Sequence, residues 1–193
     1  MKLILCDQNP EVTAAWRKYF GTDLDVQVSD GDIFQHRADA IVSPANSFGF
    51  MDGGIDLAYS RHFGWEMSER LRQTIRDDWF GEIPVGQAAV IATGSADTPW
   101  LVSAPTMRVP SNVADTVNAW LAFRAALIAV RHHESATDIE TLLCPGLGTA
   151  VGRMPAERCA RQMYAAWFSI QRGFVPNYLS LGLASEGHYA LLR

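Results

Sequence analysis

The sequence is sparing with several things. Cysteine occurs only three times in 193 residues, as Cys6, Cys144 and Cys159, with no C-x-x-C pair. An odd, scattered set excludes a disulfide framework and reads as reduced thiols. No block of Lys or Arg occurs and the net charge is −5, so neither a nucleic-acid groove nor an anionic membrane surface is expected as partner. No run approaches the ~20 apolar residues that span a bilayer. The apolar start "LILC" meets Asp7 too soon for the core of a secretory signal. The histidines His36, His62, His132, His133 and His188 show no metal-ligand spacing, so no metal is expected. Neither G-x-S-x-G nor G-K-[ST] appears, which removes a hydrolase elbow and a P-loop. No cofactor is expected either. Repeats, low-complexity linkers and charge runs are missing too. The expectation is a cytoplasmic protein with one domain over residues 1–193.

What is present is core. Hydrophobic residues make up 48% and charged residues 19% of the chain, a globular balance. Apolar runs at 2–6, 26–28, 38–43, 87–94, 100–105 and 139–144 read as strands, with a further one around 177–182. Between them, helices are expected over 11–20, 63–79, 113–131 and 155–171. In the second, Met67, Leu71, Ile75 and Trp79 repeat every four residues on one face. Strands alternating with helices, and middle strands apolar throughout, argue for a three-layer α/β/α fold around a central sheet.

In such sheets ligands collect at the carboxyl ends of the strands. Two loops there are glycine-rich: "NSFGFMDGGID" after strand 38–43, and "PGLGTAVGRMP" after strand 139–144. In the second, Gly146, Gly148 and Gly152 let the backbone turn sharply and approach a ligand, and Thr149 adds a hydroxyl. The following helix offers a positive end. Gly53 and Gly54 make the same offer in the first loop, with the chain turning helical from Ile55. Each loop is either a tight connection or a phosphate cradle; two at one sheet edge would suit a diphosphate. Asn46 either closes an Asx turn or presents its amide to a ligand. Asp56 either caps the new helix or serves as a base. Asp32 either closes a turn or accepts from an amino group. Arg108 reads as a surface charge near the same edge.

In order along the chain, "GDI" (31–33), "ADAIVSPAN" (38–46), "GGID" (53–56) and "PGLGTAVG" (145–152) resemble the macrodomain family, over roughly residues 24–172. That resemblance implies a mixed sheet between helices, and ADP-ribose, or an ADP-ribosylated protein or metabolite, as partner. It implies Asp32 on the adenine amino group beside the Ile33 backbone, and Ala45 and Asn46 at the distal ribose. Gly53, Gly54 and Ile55 would form the first diphosphate loop, and Gly148, Thr149, Ala150, Val151 and Gly152 the second, entered through Gly146. A C-terminal aromatic, Tyr178 with Phe174 beside it, would pack on adenine. In the hydrolytic branch Asn46 and Asp56 would act on ADP-ribosyl esters, mono-ADP-ribosylated Asp or Glu or O-acetyl-ADP-ribose. The alternative is a non-catalytic sensor for ADP-ribose or a related nucleotide signal. The sequence departs from the family with "SPAN" for the usual "NAAN". Met51 and Asp52 stand where further glycines are usual, and are expected to narrow the distal-ribose end.

Overall fold

The computed structural model describes residues 1–134, 138–174 and 176–193. Six strands are present among them: β1 (Lys2–Asp7), β2 (Val26–Asp30), β3 (Ala40–Ser43), β4 (Ala89–Ala92), β5 (Trp100–Ser103) and β6 (Thr141–Cys144). They form one sheet in the order β2-β1-β6-β3-β5-β4. Every pairing is parallel except the edge pair of β4 with β5. The sheet is therefore mixed, as the resemblance implied. All four residues of β3 are buried, which is why that segment is apolar without alternation.

Among the described residues there are six α-helices: α1 (Pro10–Phe20), α2 (Gly54–Phe63), α3 (Trp65–Trp79), α4 (Asn118–His132), α5 (Ala156–Gln171) and α6 (Leu181–Leu192). On one face α1, α4 and α5 bury Trp16, Phe123, Met163 and Trp167 against Leu3, Val42 and Leu142. On the other, α2 and α3 bury Tyr59, Met67, Leu71 and Ile75 against Ile41, Leu101 and Leu143. Successive strand residues point to opposite faces, so each central strand feeds both layers. The result is the three-layer α/β/α arrangement expected from the sequence.

Some boundaries differ from the sequence reading, each for a local reason. The helix expected over 63–79 begins only at Trp65, because Gly64 at φ +92° breaks it from α2. Its stripe of Met67, Leu71 and Ile75 is buried as expected, with Trp79 at the margin. The helix expected from 113 starts at Asn118, because Val113 instead donates its N–H to Gly152 O at 2.8 Å. The tail around 177–182 is not a strand. Ser180 Oγ accepts the Leu183 N–H at 3.2 Å and launches α6, a hydroxyl cap that commits the chain to a helix. Among the described residues no helix is long and apolar enough to cross a membrane.

Candidate functional site

Because β1, β6 and β3 are parallel neighbours, their carboxyl ends and the loops that follow lie at one edge. There the chain encloses a cleft of about 550 Å³, within the range that holds a small-molecule ligand. Of the residues singled out in the sequence, Asp32, Ile33, Ala45, Asn46, Gly53, Gly54, Ile55, Asp56, Gly146, Gly148, Thr149, Ala150, Val151 and Gly152 all line it. Tyr178 does not, and neither does Phe174. Tyr178 lies with its hydroxyl against Gly187 of α6, and Phe174 packs on Phe168 at 5.4 Å between ring centres. The aromatic that does line the cleft beside Asp32 is Phe34, stacked on His62 of α2 at 4.1 Å.

The first wall is the β3–α2 loop. Three hydrogen bonds tie the Asn46 side chain into its own loop: Oδ1 accepts from Phe48 N at 3.1 Å and Phe50 N at 3.3 Å, and Nδ2 donates to Phe50 O at 2.8 Å. This is the turn-closing role, and it fixes Phe50, half-exposed at the cleft. Further on, Met51 corrects an expectation. Its side chain is buried in the core under α2 and α3 and does not line the cleft, so it cannot narrow it. Asp52 does line it, exposed. Gly54, at φ +55°, opens α2, whose N-terminus no side chain caps. The first N–H groups of a helix have no intrahelical partner, so they are open to an acceptor in the cleft.

Asp56 sits in the first turn of α2, and 8% of its surface remains exposed. Burial away from water disfavours the charged carboxylate and pushes its pKa up from 3.8 to about 6, while a hydrogen bond from Ser43 opposes that rise. Ser43 Oγ donates to Asp56 Oδ1 at 2.6 Å. A carboxyl with this pKa exchanges protons near neutrality, the property a general base requires.

The second wall is the β6–α5 loop, folded back on itself. Met154 N donates to Gly148 O at 2.9 Å, with Gly148 at φ +73°. A Cβ on Gly152 would lie 2.5 Å from Gly148 O and 2.6 Å from Val113 Cγ2, so only glycine fits. α5 begins at Ala156, one residue from the start expected at Pro155. Neither residue lines the cleft, which is bounded on this side by Gly146 and by Gly148 to Gly152 of the loop.

Sequence reading missed the third wall. The β1–α1 segment brings Cys6, Asp7, Gln8 and Asn9 to the cleft, and the stretch after β5 brings Thr106 and Met107. Asp7 Oδ2 accepts the Gly146 N–H at 3.0 Å and Oδ1 the Asn9 N–H at 2.8 Å. The polar "DQNP" ending an apolar strand was the available signal. Arg108 stays outside, paired with Glu82 at 2.8 Å and lying over the Phe48 ring. Among the described residues no lysine, arginine or histidine lines the cleft. All three cysteines are buried. Burial raises each thiol, Cys159 to about 12, so none is a ready nucleophile. Among the described residues no cluster of His, Cys, Asp and Glu could hold a metal ion.

Sheet, layers and cleft define a class: a three-layer α/β protein with a cleft at the carboxyl edge of the strands, walled by glycine loops and a helix N-terminus. The chain belongs to the macro domain family, whose model, described as "Macro domain", matches residues 42–163. An uncharacterised protein of Aeropyrum pernix is 34% identical over 167 residues, 86% of this chain and 82% of that one. The Oceanobacillus iheyensis macrodomain with ADP has a similar fold, at TM-score 0.63 and 17% identity over 74% of each chain. Thermosipho africanus DarTG in complex with ADP-ribose is similar at TM-score 0.58 and 14% identity, over 86% of this chain and 50% of that one.

Proposed function

We propose that the cleft binds ADP-ribose and that the protein hydrolyses ADP-ribosyl esters, either mono-ADP-ribosylated Asp or Glu or O-acetyl-ADP-ribose. The observation that carries this reading is Asp56: buried in the cleft wall, in the first turn of the helix that follows Gly53–Gly54, with its pKa raised to about 6. A diphosphate would take the amides of the two glycine loops and the N-terminus of α2. No side-chain cation is required for that. Asp32 and Ile33 would flank the adenine and Ala45 the distal ribose. Asp56 as carboxylate accepts a proton from water while the water oxygen attacks the ester carbonyl. The acyl–oxygen bond then breaks, and the proton returns from Asp56 to the departing ribose oxygen.

A second reading, a sensor that binds without turnover, draws on Asn46. Its amide is committed to the backbone of Phe48 and Phe50, which leaves it acting on the loop and not on the scissile bond.

Calorimetry with ADP-ribose, followed by hydrolysis assays on both esters, tests the proposal. The expected result is binding, with turnover that Asp56→Ala abolishes while affinity survives. No binding at millimolar ADP-ribose overturns both readings. Binding with no turnover, or turnover that Asp56→Ala leaves intact, overturns the hydrolase.

A further inference from the structure

Ser43 is the last residue of β3 and is fully buried. Its hydroxyl donates to Asp56 Oδ1 at 2.6 Å. That is within the short range typical of an O–H bond to a charged oxygen. We propose that Ser43 is a positioning residue: its hydroxyl, delivered from the end of a central strand, holds the Asp56 carboxylate in place at the cleft wall. This deepens the proposed function and rests on it for its catalytic consequence.

The surroundings leave Ser43 without competitors for that task. On α2 itself the nearest titratable group is Tyr59, fully buried, whose hydroxyl donates to Val42 O at 3.1 Å and so is turned to the strand backbone. From the end of β1 come Cys6 and Asp7, from the β3–α2 loop Asp52, and from the turn after β2 Asp32. Each is a thiol or an acid, and none carries a positive charge or bonds to Asp56. Burial and the Ser43 hydrogen bond are the two influences acting on the carboxyl, in opposite directions. A strand residue is a suitable anchor, because Ser43 pairs with Ser103 of β5 and the strand behind it is also held by β6 through Ala40 and Ile41. Its hydroxyl can move little relative to the sheet.

The sheet also supplies an internal control. Ser103 of β5 is in register with Ser43. Ile41 and Leu101, two residues earlier, both belong to the core under α2 and α3, so the period of two puts Ser43 and Ser103 on that same face. Both are fully buried, but Ser103 Oγ has no hydrogen-bond partner among the described residues. Two serines thus match in type, burial, face and depth, and only one of them bonds to Asp56.

The test is titration of the Asp56 side-chain carboxyl by carbon-13 NMR in the ligand-free protein, in wild type, Ser43→Ala, Ser43→Thr and Ser103→Ala. A donor to the charged form is lost in Ser43→Ala, so the Asp56 midpoint should rise by about one pH unit. Ser43→Thr, which keeps the hydroxyl, should return it toward wild type, and Ser103→Ala should leave it unmoved. With ester substrate, the acid limb of the kcat/KM profile should move up by the same amount in Ser43→Ala alone. An unchanged midpoint in Ser43→Ala overturns the proposal. So does an equal rise in Ser103→Ala, which would point to general loosening of the sheet. The carboxyl titration needs no turnover. Its failure is therefore separable from absence of hydrolysis in wild type, which would count against the proposed reaction.

Discussion

Asp7 and Gly146, 139 positions apart, are joined by a 3.0 Å hydrogen bond from the Gly146 N–H to Asp7 Oδ2. The end of the first strand thereby holds the entry to the second glycine loop. A hydrogen bond to a charged group is worth roughly 1.5–3 kcal/mol when its partners are kept from water. Asp7→Ala is expected to free the loop, lowering stability in urea denaturation and weakening ADP-ribose binding about tenfold by calorimetry. Asp7→Asn keeps an acceptor and should lose less of both.

Gly152→Ala probes the folded-back shape of that loop. The added methyl would meet Gly148 O and Val113 Cγ2, and overpacking of this kind costs about 1–3 kcal/mol. The melting temperature should drop by about 3–10 °C, and ADP-ribose affinity should fall with it. A variant as stable and as tight-binding as wild type would show that the loop adapts freely.

The Asp56 carboxyl ties stability to pH. Its folded pKa, about 6, lies above the ordinary 3.8, so the folded state holds this proton more tightly than the unfolded state does. The contribution is therefore complete below pH 3.8, declines from there to pH 6, and is gone above. The span corresponds to about 3 kcal/mol. Denaturation midpoints measured between pH 4 and 8 should show this decline in wild type and lack it in Asp56→Asn. That variant is expected to be the more stable one at neutral pH while having no esterase activity. In the wild type, kcat/KM should rise with pH around 6.

Asn46→Ala removes all three bonds that fix Phe48 and Phe50. Stability should decrease by about 1–3 kcal/mol and the backbone amides of residues 47–50 should exchange faster with deuterium. If Asn46 works through its loop, Phe50→Ala should reproduce much of its effect on ligand affinity without its effect on exchange.

Tyr178→Ala should leave ADP-ribose affinity within about twofold, since the ring lies on α6 and away from the cleft. Phe34→Ala should weaken binding measurably. The reverse order would return the adenine-stacking role to the tail.

Much of this geometry was legible because it is local. Glycines between an apolar strand and a helix mark loops at a sheet edge, and once β3 and β6 are parallel neighbours, both loops share that edge. The Asp56 position follows equally from "GGID" opening a helix. What escaped depends on distant partners. Nothing near Asp7 signals that β1 pairs with β6, nearly 140 positions on, and so brings Asp7 under Gly146. The direction of Met51 is set by the core beneath α2 and α3, not by its place among glycines. Tyr178 sits in a stretch whose apolar alternation imitates a strand. A single hydroxyl cap at Ser180 decides otherwise.

The lack of any lysine, arginine or histidine along the cleft among the described residues has a kinetic side. Backbone dipoles attract an anion only at close range, whereas the protein's net charge of −5 repels it from afar. Association with a dianionic nucleotide should therefore be slow at low ionic strength and quicken as salt screens the long-range repulsion, while the dissociation rate, governed by short contacts, changes little. Stopped-flow binding should find a positive salt dependence of the association rate, opposite to that of a site that draws its anion in with surface cations.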